Sequence, residues 1–273
     1  MSYKGYIEVD VTDSRVNEFY QDTALNVFDL GINEYLLVLE DGEVVDSYKW
    51  IGTEHVHVSY KTLDNEFTGK VKPRNEQQKL AFDLLQDSRS KIKVIDGGYG
   101  TGKDYLMINH ALHLIEKGKF KKILWVRNNI EVKNTKPIGY LPGSQNQKLL
   151  PYAMILADHL GGQEGLERMM DSGAIEIAHL GLLRGRSIRD TIIYCSEAEN
   201  LTRSHVQLLI GRVDEGSELW MNGDYRQADA KEFEEDNGLK AAIYRLRGEP
   251  LFGYVHLEKV ERSEVARLAD KLD

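Results

Sequence analysis

The sequence is poor in the features that mark exported or membrane proteins. It has one cysteine, Cys195, which excludes an internal disulfide and any metal site built from several cysteines, as expected in a reducing cytoplasm. No apolar run approaches the ~20 residues that span a membrane. Residues 1–13 also lack the basic and apolar regions of a signal peptide. We therefore expect a soluble cytoplasmic protein that does not enter the membrane.

An excess of positive charge is also missing. The net charge is -9, and residues 1–70 hold 5 Lys/Arg against 14 Asp/Glu, which leaves 30 of each for residues 71–273. A neutral second region does not indicate nucleic-acid binding by bulk charge, so such binding would need a local basic strip or a pore. The acidic first region has its simplest interpretation as a solvated surface.

Residues 1–70 predict a small β-rich module. Two alternating apolar runs flank Asp41-Gly42, which is a strong hairpin signal. The segment SRVNEFYQDTA predicts a short helix, HVHVSYKTL predicts another strand, and DNEFTGKVKPRN predicts a linker. His55 and His57 alternate on one strand face, but a metal site is not favoured because no further ligands lie nearby.

Residues 71–273 alternate between strand and helix patterns, which predicts an α/β fold with a mainly parallel sheet covered on both faces. Ligands in that architecture bind at the carboxyl ends of the strands. The connection 128–146 is rich in turn residues and long enough to be a functional loop. The predicted strands are 91–96, 122–127, 174–180, 191–196, 218–223 and 252–258, and the predicted helices include 104–117, 147–160, 164–172, 203–213 and 262–272.

The segment GGYGTGKD follows the first of these strands and opens a helix. It fits the phosphate-binding loop pattern G-x-x-x-x-G-K-[S/T] except at its last position. Glycines let backbone N–H groups curl around phosphate oxygens, and the lysine would reach the β- and γ-phosphates. The carboxylate at the last position means that the magnesium site is either lost or rebuilt. The predicted nucleotide-binding residues of this loop are Gly97, Gly98, Tyr99, Gly100, Thr101, Gly102, Lys103 and Asp104.

Three further signals follow the pattern of phosphate-loop ATPases. Ser196-Glu197 ends a strand where such proteins carry an acidic pair, whose second member positions or deprotonates the attacking water. In NGDYRQ, Asp224 and Gln227 form a G-D-x-x-Q motif that suits a γ-phosphate sensor, although the same letters also suit an ordinary turn. Gln78 in RNEQQK offers a donor and an acceptor to an adenine edge. Asn75 beside it is equally well interpreted as a helix cap.

Together these motifs carry a resemblance to PhoH-like proteins. The segments in question, in the order found in that family, are PRNEQQKLA, GGYGTGKDYL, IGYLPG, LLRGRS, IIYCSEAENLT, NGDYRQAD and LFGYVHLEKVERSE. The resemblance covers about residues 71–273 and implies a three-layer core similar to the RecA-like first motor domain of superfamily 1 helicases. It also implies ATP binding and hydrolysis with Mg²⁺, a homo-oligomer such as a ring hexamer, and RNA handling, with single-stranded RNA as the partner. The chain resembles the subtype that lacks the PIN nuclease domain of larger relatives.

The resemblance also assigns individual roles. Gln78 matches the adenine-reading glutamine, Lys103 the phosphate lysine, Glu197 the residue that activates water and Gln227 the γ-phosphate glutamine. Three positions depart from the family: Asp104 stands where most members have Thr, Ser196 where most have Asp, and Glu199 where most have Gln. Arginine fingers, which meet charge on the γ-phosphate, have three candidates in family-matching segments, although a surface salt bridge would explain any one of them. These candidates are Arg184, Arg186 and Arg262.

The departures at Asp104 and Ser196 suggest a specific arrangement. The usual hydroxyl and carboxylate are both present with their positions exchanged. We therefore expect Asp104 to face magnesium, with Ser196 donating a hydrogen bond to it from the neighbouring strand; the alternative is that Asp104 only caps its helix. The leading hypothesis is an oligomeric ATPase acting on RNA. The alternatives are a nucleotide-gated assembly module with weak or no hydrolysis and, less favoured, a small-molecule kinase.

Overall fold

The computed structural model describes residues 2–128 and 150–261. The predicted loop 128–146 beyond Asn128, the IGYLPG motif, the start of the predicted helix 147–160, and the helix 262–272 with Arg262 lie outside the described residues. Among those that are described, no helix has both the length and the apolar character needed to cross a bilayer.

The helices of the described residues alternate with the strands along most of the chain. The helices are α1 (Ser14–Gln21), α2 (Glu76–Gln86), α3 (Lys103–Glu116), α4 (Met154–His159), α5 (Gln163–Asp171), α6 (Arg203–Ile210), α7 (Lys231–Glu235) and α8 (Gly238–Arg245), with short 3₁₀ turns at Leu150–Ala153, Leu180–Leu182 and Ala198–Asn200. The strands are β1 (Tyr6–Asp10), β2 (Tyr35–Glu40), β3 (Glu43–Trp50), β4 (His55–His57), β5 (Leu63–Asn65), β6 (Gly69–Val71), β7 (Ile92–Gly97), β8 (Lys122–Arg127), β9 (Ile175–His179), β10 (Thr191–Ser196), β11 (Glu218–Gly223) and β12 (Phe252–Leu257).

The centre of the molecule is a six-stranded sheet in which every neighbouring pair is parallel, in the order β12-β7-β11-β10-β8-β9. All six strands predicted from apolar runs are confirmed to within two residues at each end. Because the strands are parallel, their carboxyl ends lie along one edge of the sheet. The phosphate-loop segment therefore shares that edge with the ends of β8, β10 and β11.

Side chains alternate between the two faces of this sheet and enter two separate hydrophobic clusters. On β10, Ile192 and Tyr194 enter the cluster that contains α2 and α3, whereas Ile193 and Cys195 enter the cluster that contains α6 and α8. Helices thus cover both faces, which confirms the predicted three-layer α/β fold. Burial of the Cys195 thiol raises its pKa, so this single cysteine is a core residue and a poor nucleophile.

The chain between Tyr6 and His57 forms a four-stranded sheet, β1-β2-β3-β4, with α1 packed against it in a hydrophobic cluster of its own. The hairpin at Asp41-Gly42 and the helix are confirmed, while the strand predicted in HVHVSYKTL is only three residues long. The linker predicted in DNEFTGKVKPRN is wrong in its first half. There β5 and β6 pair as an antiparallel hairpin, and Leu63 and Val71 reach the main core, so burial of these two apolar side chains stabilises the hairpin.

Candidate nucleotide-binding and catalytic site

The loop between β7 and α3 has the backbone that its glycines permit. Gly97, Gly100 and Gly102 have φ angles of 156°, 74° and 88°, which side-chain-bearing residues rarely adopt. A Cβ on Gly97 would also lie 2.4 Å from the carbonyl oxygen of Leu257. The loop ends where α3 begins at Lys103, so the helix amino terminus adds favourable partial charge for an anion.

Two side chains of the loop turn back onto it. The Thr101 hydroxyl donates to the Gly98 carbonyl at 3.0 Å, and the Lys103 ammonium donates to the same oxygen at 3.3 Å. Thr101 is buried and therefore supports the loop from inside, whereas Tyr99 is 63% exposed at its tip. The structure thus holds the Lys103 charge against the loop backbone, where a phosphate group would meet it.

Asp104 is held by the neighbouring strands β10 and β11. The Asn222 amide donates to its Oδ1 and also to the Tyr194 hydroxyl, at 3.0 Å in the second case. Burial, followed by the charge of Asp104, raises the pKa of Tyr194. The expected hydrogen bond from Ser196 to Asp104 is not found in the described structure, because a buried amide and a phenol already contact that carboxylate. Asp104 nevertheless contacts the neighbouring strand through Asn222, and it is also the acidic residue in the first turn of α3, so the helix-terminus alternative stays open.

Glu197 follows β10 with an unusual backbone. Its φ and ψ angles of 52° and 48° are left-handed, which is uncommon for a residue with a side chain. Its N–H donates to the Asn222 Oδ1 at 3.3 Å, and its carboxylate accepts a hydrogen bond from the Arg127 guanidinium at the end of β8. Burial raises the pKa of the Glu197 carboxyl, and the ion pair with Arg127 partly offsets that rise.

Glu199 lies behind Glu197 and packs tightly against β11. Its carboxylate accepts a hydrogen bond from the Asp224 N–H at 3.3 Å, and a Cβ on Gly223 would lie 2.0 Å from one of its oxygens. Burial raises the pKa of Glu199 to about 8, and the nearby charge of Glu197 adds to the rise. Near neutral pH this side chain is therefore mainly a neutral acid.

The G-D-x-x-Q motif forms a turn at the end of β11. The Gln227 N–H donates to the Asp224 carbonyl at 2.8 Å, and the buried Asp224 carboxylate binds the Arg226 guanidinium at 2.9 Å. Asp224 lies near the loop, since a Cβ on Gly98 would be 3.9 Å from its Oδ2. Gln227 is exposed, and the turn thus places one member of the motif at the loop and one at the surface.

Carboxylates crowd the loop tip. Partial burial, and then the charges of four nearby acidic side chains, raise the pKa of Tyr99; these are Glu199, Asp229, Glu197 and Asp224. The described residues contain no group of three or more His, Cys, Asp or Glu side chains arranged to hold a metal ion. Any magnesium here would therefore need phosphate oxygens and water as further ligands.

The other side of the loop is bordered by α2. Asn75 caps that helix by accepting from the Gln78 N–H at 2.9 Å, which confirms the capping interpretation, and it also donates to Glu261 at 2.8 Å. The buried Gln78 amide donates to the Thr101 carbonyl at 3.1 Å and accepts from the Arg74 N–H at 2.9 Å. The Glu261 N–H donates to the Gly100 carbonyl at 2.8 Å. Gln78 therefore contacts the loop directly, with both of its polar atoms engaged by backbone groups.

The two arginine-finger candidates in the described residues are placed away from the loop backbone. Arg184 is exposed, and Arg186 donates to Glu176 on β9 at 2.9 Å. Neither forms a hydrogen bond or ion pair with the loop in the described part of the chain.

Three residues that no sequence motif indicated contact the carboxylates of the site. They are Arg127, Tyr194 and Asn222. They enter the site because parallel pairing places neighbouring strand ends side by side, as with Ser196 and Arg127.

A glycine-rich loop between a parallel strand and a helix, with a lysine at the helix start and an acidic residue ending a neighbouring strand, defines a P-loop NTPase core. Residues 70–272 match the family profile described as PhoH-like protein. The chain belongs to the PhoH-like family, a family of P-loop, ATP-binding proteins.

The curated relatives found are named PhoH2 or PhoH-like protein. PhoH2 of Bacillus subtilis (strain 168) is 32% identical over 285 aligned positions, which cover 99% of this chain and 64% of that protein. PhoH2 of Mycolicibacterium smegmatis is 31% identical over 212 positions, 77% of this chain and 48% of the relative. The PhoH-like protein of Bacillus subtilis is 33% identical over 183 positions, 65% of this chain and 56% of the relative. The chain therefore spans between about half and two thirds of the length of these relatives.

Proposed function

We propose that the protein binds ATP at the loop 97–104 and hydrolyses it with Glu197 as the base. The observation that carries the proposal is the placement of the Lys103 ammonium against the loop backbone while Glu197 stands at the end of β10, on the same edge of the sheet. We further propose that residues 71–273 form the ATPase domain and residues 1–70 an accessory module. The family profile begins at residue 70 and supports that division.

The loop residues would bind the phosphates. Backbone N–H groups of residues 97–102 and the Lys103 ammonium would contact the phosphate oxygens. To read the base from the side of α2, the buried Gln78 amide would exchange its bonds with the Thr101 carbonyl and the Arg74 N–H for bonds to the adenine edge. Asp224 lies beside Gly98, and the turn that it begins carries Gln227, which would respond to the γ-phosphate. Arg184, Arg186 or Arg262 would act from a neighbouring subunit, which suits the exposed position of Arg184.

The oxygen ligands available suit magnesium. Asp104 offers a carboxylate, which the Asn222 amide and the Tyr194 hydroxyl also contact, and Ser196 offers a hydroxyl at the adjacent strand end. When bound, the ion would neutralise charge on the phosphates. Because these two residues exchange the usual hydroxyl and carboxylate, we propose that they share the metal's ligand shell without contacting one another directly.

Glu197 would take the proton from the water that attacks the γ-phosphorus. The new bond joins the water oxygen to phosphorus, the bond to the β-γ bridging oxygen breaks, and ADP leaves with that electron pair. Homo-oligomerisation, a ring hexamer as its form, and single-stranded RNA as a partner are also proposed, and they rest on the family resemblance.

The second candidate function is a nucleotide-gated assembly module that binds ATP and turns it over poorly. It is favoured by the departures at Asp104 and Ser196, and by the hydrogen bonds that already engage Asp104. Both candidates require Lys103, but only the ATPase requires turnover.

Two measurements test the proposed function. Steady-state phosphate release from Mg²⁺-ATP should be measurable for the wild type, and titration with a fluorescent ATP analogue should give saturable binding. Lys103→Ala should lose both, whereas Lys231→Ala should keep both, because Lys231 is an exposed lysine whose ion pair is with Glu235 on its own helix. Binding without phosphate release would support the assembly module. Unchanged binding by a folded Lys103→Ala protein would exclude the loop as the nucleotide site.

A further inference from the structure

Arg127 and Glu197 meet across two neighbouring strands. Arg127 is the last residue of β8, and its backbone lies opposite Ser196 in the parallel register of β8 and β10. From there its guanidinium donates to the Glu197 carboxylate, 70 residues further along the chain. The Arg127 side chain is more buried than that of Glu197, with 25% against 39% exposed. The arginine is therefore the better-fixed partner of the pair.

The Glu197 side chain needs such a partner. The backbone of this residue is fixed by its left-handed conformation and by the N–H bond to Asn222, but these contacts do not orient the carboxylate. A glutamate has several rotatable bonds, so a half-exposed one populates many rotamers unless a contact selects one. The charges of Asp229 and Asp104 also act on this carboxyl and repel its ionised form. Within residues 2–128 and 150–261, Arg127 is the cation with which Glu197 forms an ion pair.

We propose that Arg127 is a positioning residue for the catalytic base: its guanidinium holds the Glu197 carboxylate in the orientation from which it accepts the proton of the attacking water. This inference rests on the proposed function, since it assigns a second residue to the same reaction. Orientation of a reacting group can change a rate by up to about 100-fold without changing how tightly the substrate binds. The role therefore predicts an effect on kcat and not on KM.

Two other roles for Arg127 predict different results. A guanidinium that binds a phosphate of the nucleotide would contribute to affinity, so its removal would raise KM. An ion pair that only stabilises the fold would lower the melting temperature without a specific effect on turnover. Glu197 itself distinguishes these roles, because a positioning residue has nothing left to position once the base is removed.

The test compares Arg127→Gln and Arg127→Lys with the wild type in steady-state ATP hydrolysis. We expect Arg127→Gln to lower kcat between about 10-fold and 100-fold and to change KM by less than about threefold. Arg127→Lys keeps a cation at the same strand end and should recover part of the loss, because the ammonium can pair with Glu197 but lacks the planar guanidinium. Arg189→Gln is the matched control. Arg189 precedes β10, at the end of that strand away from Glu197, and pairs with Asp214, so its substitution should leave kcat and KM unchanged.

Combining the variants completes the test. Arg127→Gln in a Glu197→Gln background should cause no further loss of kcat. A further full loss, a raised KM with kcat intact, or an unchanged kcat in Arg127→Gln would each overturn the positioning role alone. A wild type that releases no phosphate would overturn the proposed function and the positioning role together. Thermal melting of each variant identifies any that fail to fold, and Arg127→Lys preserves the test if Arg127→Gln is among them.

Discussion

Negative charge is carried in opposite ways by the amino-terminal module and by the strand ends of the core. Residues 1–70 account for the whole net charge of -9. Their acidic side chains are nevertheless satisfied locally: Asp10 and Asp13 lie at the surface and accept hydrogen bonds from residues two positions further along the chain. The Arg15 hydrogen bond lowers the pKa of Asp13 to about 2. In the electrically balanced core, by contrast, Glu197 and Glu199 have raised pKa values because they are partly buried among other carboxylates.

The placement of charge, and not its amount, marks the candidate functional region. Surface carboxylates are solvated and already satisfied, so they gain little from a ligand. Partly buried carboxylates beside a lysine and an anion-binding loop have shifted pKa values, so a bound cation or a transferred proton can change their protonation state.

The largest contrast concerns two glycines with positive φ angles. Gly97→Ala should lower ATP affinity more than about 100-fold and destabilise the fold by roughly 3 kcal/mol or more, because its Cβ would overlap the Leu257 carbonyl oxygen. Gly42→Ala in the module has open space around it and should cost only about 1 kcal/mol of strain, with unchanged affinity. Denaturant unfolding and nucleotide titration measure both effects. Equal effects of the two substitutions would contradict the assigned loop geometry.

The next contrast concerns two lysines in ion pairs. Lys49 on β3 is buried and binds Asp87 at 2.6 Å and Asp83 at 3.2 Å, which joins the module to the core. Lys49→Ala should cost about 3 kcal/mol, because it leaves the largely buried Asp83 carboxylate without its cation, whereas Asp87 keeps its ion pair with Arg89. Lys121→Ala removes an exposed pair with Asp190 and should cost less than about 0.5 kcal/mol. Similar unfolding free energies for the two variants would show that the module is not anchored by this contact.

Glu199→Gln should change how stability depends on pH. The folded protein holds the Glu199 proton with a pKa of about 8 against 4.5 for the free side chain. The wild type therefore loses stability as pH rises from about 4.5 to about 8, and this loss then levels off. The glutamine variant lacks that loss, so it should gain roughly 1–2 kcal/mol relative to the wild type between pH 5 and pH 8.5. Parallel stability curves for the two proteins over this range would exclude a buried neutral acid.

The exchange of Asp104 and Ser196 should give the smallest effect. Asp104→Thr and Ser196→Asp should each lower magnesium-dependent hydrolysis. Asp104→Thr leaves two hydroxyls and no carboxylate for the metal, whereas Ser196→Asp places two carboxylates close to the phosphates. The double variant restores the usual order and should recover activity, with a coupling of at least about 1 kcal/mol on the kcat/KM scale. Losses that add without coupling would mean that the two side chains do not serve the same metal.

Much of the fold was predictable from the sequence. The six core strands are continuous apolar runs, and each carries enough signal alone to be located. The β5–β6 hairpin was missed because three-residue strands have too few side chains to show a period. The helices α7 and α8 were not predicted, since they are short and follow a polar turn.

The site was predictable only where a motif is contiguous in the chain. The loop and the Ser196-Glu197 strand end belong to such motifs. Arg127 and Asn222 become neighbours of Glu197 through the register of three strands, which the sequence does not encode locally. The Asn222 amide could have been suspected from its position in an apolar strand, where a buried polar group needs partners. Those partners, Asp104, Tyr194 and the Glu197 N–H, were visible only in the structure.

Single-turnover hydrolysis of Mg²⁺-ATP by the full chain, compared between the wild type and Glu197→Gln, shows whether the crowded strand-end carboxylates act on a nucleotide bound at the loop. The amide keeps the shape of the side chain but cannot accept a proton, so Glu197→Gln should bind ATP as tightly as the wild type and hydrolyse it at least about 100-fold more slowly. Hydrolysis at the wild-type rate by Glu197→Gln would contradict the account.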